Sequence, residues 1–174
     1  MNLYLMCGLA FSGKSTVAGV IRRLRGAVVI SLDELNAARG LHGGLGIQEE
    51  EWVRSHREAT ASVEEALRAG RDVVVDDTNC FRFLRDEYRA LAAGFGAEVL
   101  ILYLPAPPDL VLRRARGNDS EPSRHPVTEP VLLDLIRKFE PPAVDEPVLV
   151  VPPDCDEEWV ARHIAPAAPK GKER

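Results

Sequence analysis

Gly8-Leu9-Ala10-Phe11-Ser12-Gly13-Lys14-Ser15 reads G-x-x-x-x-G-K-S, a complete phosphate-binding loop, and Thr16 follows it directly. The apolar run Leu3-Tyr4-Leu5-Met6-Cys7 leads in, and a helical pattern from Val17 to Leu24 leads out. This strand–loop–helix setting separates a working P-loop from a chance match. The glycines let backbone N–H groups turn inward around phosphate oxygens, and the helix N-terminus adds partial positive charge. Gly8, Ser12, Gly13, Lys14, Ser15 and Thr16 are therefore the expected nucleotide-binding residues. Lys14 is expected to reach the β/γ-phosphates and the Ser15 hydroxyl to ligate Mg²⁺, so ATP and Mg²⁺ are the expected cofactors.

The bulk properties narrow the partners. A chain of 174 residues with 45% hydrophobic and 28% charged content suits one soluble domain with a full core. Its formal net charge of -5 provides no global basic field for long nucleic acid. Cys7, Cys80 and Cys155 form neither a disulfide framework nor a zinc pattern. Cys7 and Cys80 read as packed thiols. There is no signal-peptide pattern and no apolar stretch long enough to span a membrane, so a cytoplasmic setting is expected.

Strand and helix patterns alternate along the chain, which predicts an α/β fold with a mainly parallel sheet. Strands are expected at Asn2–Cys7, Ala27–Ser31, Asp72–Asp76, Ala97–Leu104 and Pro147–Val151. The runs Val28-Val29-Ile30, Val73-Val74-Val75 and Val99-Leu100-Ile101-Leu102 read as strands buried on both faces. Helices are expected at Lys14–Arg25, Gln48–Ala69, Phe81–Ala93 and Pro108–Arg116, from Thr128 to Phe139, and over Asp156–Ile164. Trp52, His56, Ala59, Val63 and Leu67 share one stripe of the second, with His56 as a packed or edge residue. Residues 1–165 form one expected domain, with a lid at about 113–127 and a disordered tail at 166–174.

In a parallel sheet, ligands bind at the carboxyl ends of the strands. The second strand delivers Asp33 there and the third delivers Asp76, Asp77, Thr78 and Asn79. Asp33 suits the role of accepting a proton from an acceptor hydroxyl, with Glu34 as the nearby alternate. The competing reading is that Asp33 caps a short helix opened by Leu32-Asp33-Glu34-Leu35. A hydrophobic strand ending in Asp is the Walker-B pattern, so Asp76 and Asp77 join Ser15 as expected metal-site residues. Asp33, Asn36, Asp77, Thr78 and Asn79 are the expected substrate-binding set. Arg113 and Arg116 share a helix face before a polar loop that holds Arg124, and such arginines can offset charge on a transferring γ-phosphate. Arg82, Arg85 and Arg89 repeat at helical spacing and read as a solvated face.

Taken together, G-x-x-x-S-G-K-S-T, the strand-two Asp, the D-T-N of Asp77-Thr78-Asn79 and the R-x-x-R before the lid carry a family resemblance. So does the closing Phe139-Glu140-Pro141-Pro142. Over roughly residues 1–151 the chain resembles the P-loop kinase group that includes the 5′-hydroxyl polynucleotide kinase domain, gluconate kinase, chloramphenicol phosphotransferase and zeta-type toxin kinases. The resemblance implies a P-loop NTPase three-layer sandwich with a five-stranded sheet in the order 2-3-1-4-5. It further implies that Lys14 and Ser15 hold phosphates and Mg²⁺, and that Asp33 activates the acceptor. Asp77 would stand at the metal or acceptor side, and Arg113 or Arg116 would take the lid role. Where the polynucleotide kinase domain has an arginine three residues past its catalytic aspartate, this chain has Asn36. The expectation is therefore an ATP- and Mg²⁺-dependent phosphotransferase acting on a hydroxyl group, its partner a small molecule rather than a polynucleotide end. A polynucleotide 5′-hydroxyl kinase and a non-kinase ATPase or switch are the alternatives. N-K-x-D and a D-x-x-G after strand three are absent, which counts against a guanine-nucleotide switch. Asn36–Gln48 offers Arg39 alone as a monophosphate ligand, which counts against a nucleoside monophosphate kinase.

Overall fold

The computed structural model describes residues 1–42, 46–120, 127–153 and 155–164. The elements run β1 (Asn2–Cys7), α1 (Lys14–Arg25), β2 (Val28–Ser31), α2 (Leu32–Ala37), α3 (Glu49–Arg68), β3 (Val73–Asp76) and α4 (Arg82–Gly94). They continue with β4 (Glu98–Tyr103), α5 (Pro108–Ser120), α6 (Glu129–Lys138), β5 (Val148–Val150) and α7 (Glu157–His163). All strand pairs are parallel, and the sheet order is β2-β3-β1-β4-β5, as the resemblance implied. β1 is central, with Leu3 opposite Val73 on one side and Val99 on the other.

Because side chains alternate along a strand, each buried strand feeds two cores. Leu3, Leu5, Val73 and Val75 pack under α3 and α4, against Val63, Leu67 and Tyr88. Tyr4, Met6, Val74 and Leu102 pack under α1 and α7, against Ile21 and Val160. A third cluster joins Leu9 and Ala10 of the P-loop to Val111 and Ala115 of α5 and Leu132 of α6. The α5–α6 hairpin is thereby seated on the phosphate-binding loop itself.

The segment after β2 is a helix whose cap is Ser31, which removes the competing reading of Asp33 as a cap: the Glu34 N–H donates to Ser31 Oγ at 3.3 Å. Three expectations need correction. α5 continues past Arg116 to Ser120, because Val111, Ala115 and Asn118 form one buried stripe that outweighs the cost of about 1 kcal/mol for a helical glycine at 117. On α3 the buried face runs through Ser55 rather than Trp52, which is exposed. Arg85 is completely buried, so the Arg82/Arg85/Arg89 repeat is not a solvated face. The expected tail 166–174 and Arg124 lie outside the described residues. No helix among the described residues is long and apolar enough to cross a membrane.

The thiols follow their burial. Cys7 and Cys80 are buried and free, and loss of solvation pushes their pKa values up to about 12 and about 11. Cys155 is partly exposed. Since the thiolate is the nucleophile, Ellman's reagent at pH 8 is expected to modify Cys155 in the folded protein and to reach Cys7 and Cys80 only on unfolding. Peptide mapping after labelling would check this.

Candidate active site at the carboxyl edge of the sheet

The P-loop turns sharply out of β1. Gly8 has φ of 152°, and a Cβ placed there would lie 2.7 Å from the Leu104 carbonyl oxygen. Its N–H donates to Thr78 O at 3.1 Å, which joins the loop to the end of β3. Gly8→Ala would meet both the clash and a backbone conformation that costs a side chain roughly 1–3 kcal/mol. The expected result is a lower melting temperature together with weakened nucleotide affinity, read by thermal shift and calorimetry.

Gly13 has φ of 105° and caps α1 without a side chain. Phe11, not a glycine, also stands in the left-handed region at φ 62°. Its carbonyl accepts a 2.9 Å hydrogen bond from Nη1 of Arg114 on α5. Lys14 is buried, and its Nζ donates to Leu9 O at 2.7 Å across the mouth of the loop. Ser12 Oγ is buried with no protein partner. A loop with an orphaned hydroxyl, a buried lysine and the N-terminus of α1 above it fits a polyphosphate.

Asp76 closes β3 and Asp77 stands one residue beyond it, and the two have different surroundings. Asp76 lines a cleft of about 450 Å³ on the α1 side, together with Ser15, Ser31 and Glu34. Asp77 is not among the residues lining that cleft and lies within electrostatic reach of Asp33 and Lys14. Burial pushes the Asp77 carboxyl above its usual pKa; the Thr78 N–H opposes this, Asp33 reinforces it, and Lys14 and the Asn79 N–H oppose it again. The three expected metal-site residues are thus divided: Ser15 and Asp76 share a cleft, while Asp77 stands with Asp33. Among the described residues no group of three His, Cys, Asp or Glu side chains could hold a metal unaided. Any ion at Ser15 and Asp76 would need phosphate oxygens to complete its shell.

Asp33 lies exposed in the first turn of α2, pointed there by the Ser31 cap. Asn36, expected at the substrate, is instead buried, and its Oδ1 accepts from Ser55 Oγ and, at 3.1 Å, from Arg39 Nη2. Arg39 is committed to Glu58 at 2.5 Å and to Glu51 at 3.4 Å. Asn79 is fully buried at φ 43°; its Nδ2 donates to Met6 O at 2.7 Å and its N–H to Asp77 Oδ2 at 3.4 Å. It braces the site from behind. Thr78 is half-buried, and Thr16 is exposed beside Ser15. Arg113 is exposed on α5, and Arg116 ties α5 to Glu129 of α6 at 3.2 Å. Helical spacing favours Arg113 and Arg116, which share a face, over Arg114, yet Arg114 is the one that reaches the P-loop backbone.

The sequence matches the AAA domain family over residues 3–142. No curated protein matches it. Among solved structures, the fold is similar to that of a kinase-like protein from Chloroflexus aurantiacus J-10-fl (TM-score 0.72, 18% identity, covering 94% of this chain and 96% of that one). It is also similar to a sugar kinase from Janibacter sp. HTCC2649 (0.69, 18%, 94% and 92%). A third is the Mycobacterium tuberculosis APS kinase CysC in complex with AMPPNP and APS (0.64, 19%, 94% and 94%). At these identities the likeness establishes a kinase-like P-loop fold.

Proposed function

This chain belongs to the AAA domain family, and we propose that it is an ATP-dependent phosphotransferase acting on a hydroxyl group of a small molecule. One observation carries the reading: the Gly8 N–H donates to Thr78 O at 3.1 Å, which ties the P-loop to the end of β3, where Asp77 feels the charges of both Lys14 and Asp33. Phosphoryl transfer needs an oriented acceptor and positive charge on the transferring group, and little covalent help. Asp33 is exposed, so an incoming hydroxyl can reach it. It accepts the hydroxyl proton as the acceptor oxygen bonds to the γ-phosphorus and the bond to the β–γ bridging oxygen breaks. Lys14 leaves the Leu9 carbonyl for the β/γ-phosphates, and the P-loop N–H groups hold the nucleotide. Ser15 and Asp76 would hold Mg²⁺, which when bound neutralises phosphate charge. Arg113 and Arg116 offer further positive charge from α5, and Arg114 holds the loop's backbone at Phe11.

The small acceptor follows from electrostatics. Arg39 is spent on Glu51 and Glu58, and Asn36 is buried beneath it. α3 opens on Glu49-Glu50-Glu51. This edge of the site repels a polyanion, and the net charge of -5 agrees. The two kinases named above, for a sugar and for APS, support a small acceptor by analogy.

The test is transfer from γ-labelled ATP with Mg²⁺ to sugars, aminoglycoside or phenicol alcohols, 5′-hydroxyl oligonucleotides and a no-acceptor control. Label on a small alcohol is the expected result. Label on the oligonucleotide alone would make the chain a polynucleotide kinase. Hydrolysis indifferent to every acceptor would make it an ATPase.

A further inference from the structure

Behind the site lies a fully buried ion pair that the chemistry above does not use. Arg85 Nε and Nη2 on α4 meet Glu146 Oε1 and Oε2 at 2.7 and 3.0 Å, with side-chain exposures of 1% and 0%. The remaining guanidinium nitrogen, Nη1, donates to two main-chain carbonyls, Asn79 at 2.9 Å and Glu140 at 3.0 Å. Asn79 is the residue whose N–H faces the Asp77 carboxylate and whose amide holds the end of β1. Glu140 follows α6, and its N–H donates to Cys80 O at 2.9 Å. Glu146 Oε2 also accepts from the Ala143 N–H at 2.8 Å. One guanidinium therefore fastens the D-T-N strap to the chain leaving the α5–α6 hairpin.

We propose that Arg85, oriented by Glu146, is a positioning residue: it fixes the carbonyl of left-handed Asn79 and so sets Asp77 against Lys14 and Asp33. Three features favour this over a purely stabilising role. A buried ion pair is seldom more stable than an apolar pair of the same volume, so stability alone does not account for it. The planar fork matches a carboxylate and two carbonyls at once, which an ammonium cannot do. The strap it holds contains a non-glycine residue at φ 43°, a conformation that persists where the surroundings enforce it. The role in turnover rests on the phosphotransferase reading; the bracing of the strap does not.

The experiment compares the full chain with Arg85→Lys and with the double variant Arg85→Met/Glu146→Leu, which removes the fork while leaving no buried charge. Four quantities are read: melting temperature, ADP affinity, turnover at saturating ATP, and native-state thiol labelling of Cys80 relative to Cys7. The double variant is expected to melt near the wild type and to bind ADP within about twofold of it. Its turnover is expected to fall roughly 10- to 100-fold, as small misplacements at a reacting centre do. Cys80, next to Asn79, is expected to label ahead of Cys7, because the strap opens without the rest of the sheet. Arg85→Lys is expected to follow it in turnover and labelling, and Asp77→Asn is expected to leave little further loss for either variant to cause. A double variant that turns over like the wild type, or in which Cys80 stays as protected as Cys7, overturns the positioning role. A wild-type chain without turnover would sink the phosphotransferase reading, while the Cys80 labelling still decides whether Arg85 holds the strap.

Discussion

Asp33→Asn is expected to lower phosphoryl transfer by about 10²- to 10⁴-fold, the range for loss of a positioned general base. Nucleotide affinity should not weaken. Asp33 carries a negative charge that acts against that of Asp77 and would act against a bound polyphosphate in the same way. Removing one negative charge near a polyphosphate can only favour binding. Stability should change little, because Asp33 is exposed; the loss of its charge from the first turn of α2 costs about 0.3–1 kcal/mol. The measurement is turnover beside ADP titration on the same preparation. Full activity in Asp33→Asn would remove Asp33 from the base role and leave Glu34, which lines the cleft with Ser15 and Asp76, as the remaining carboxylate of α2.

Arg85→Ala should be the most damaging single substitution to the fold. It leaves Glu146 buried and uncompensated, which typically costs about 3–5 kcal/mol. For a chain of this size that corresponds to a drop of about 6–20 °C in melting temperature. Replacing both partners by apolar residues should recover most of this loss, which separates the penalty of a stranded charge from the worth of the pair. The pair also shapes the acid limb of stability. Burial alone would raise the Glu146 carboxyl, but Arg85 and the Ala143 N–H hold it below its usual value of 4.5. A carboxyl depressed in the folded state contributes fully above that value and loses its contribution as pH falls below it. Unfolding curves at descending pH should show a shallower acid limb in Arg85→Met/Glu146→Leu than in the wild type. Equal limbs would mean that the pair does not carry this linkage.

The fold was legible in local patterns. G-x-x-x-x-G-K-S between an apolar run and a helical stripe placed β1, the P-loop and α1, because each rests on neighbours within a few residues. Doubly buried strands announced themselves as valine and leucine runs, and their carboxyl ends located Asp33, Asp76 and Asp77. The strand order was available through resemblance, and spacing alone did not reveal it. α2 was hard to read because a six-residue helix has too few turns to show a period, and its cap, Ser31, ends a strand. That Asp76 and Asp77 stand in different surroundings depended on a strand end whose two cores are built by distant helices.

Three further features were decided by the tertiary structure alone. Arg85 looked like one of three solvated arginines until the sheet brought Glu146, 61 residues away, against it. Arg114 became distinct from Arg113 and Arg116 only when the α5–α6 hairpin settled on Phe11, 103 residues before it. Asn36 was drawn from the substrate's side into a network with Ser55 and with Arg39, itself paired with Glu51 and Glu58, once α2 packed on α3. Sequence determines what each residue can do through its chemistry and its nearest neighbours. Whether a buried charge finds its counter-charge is a property of the topology, because the energy of that meeting lies in a separation that the chain order does not express.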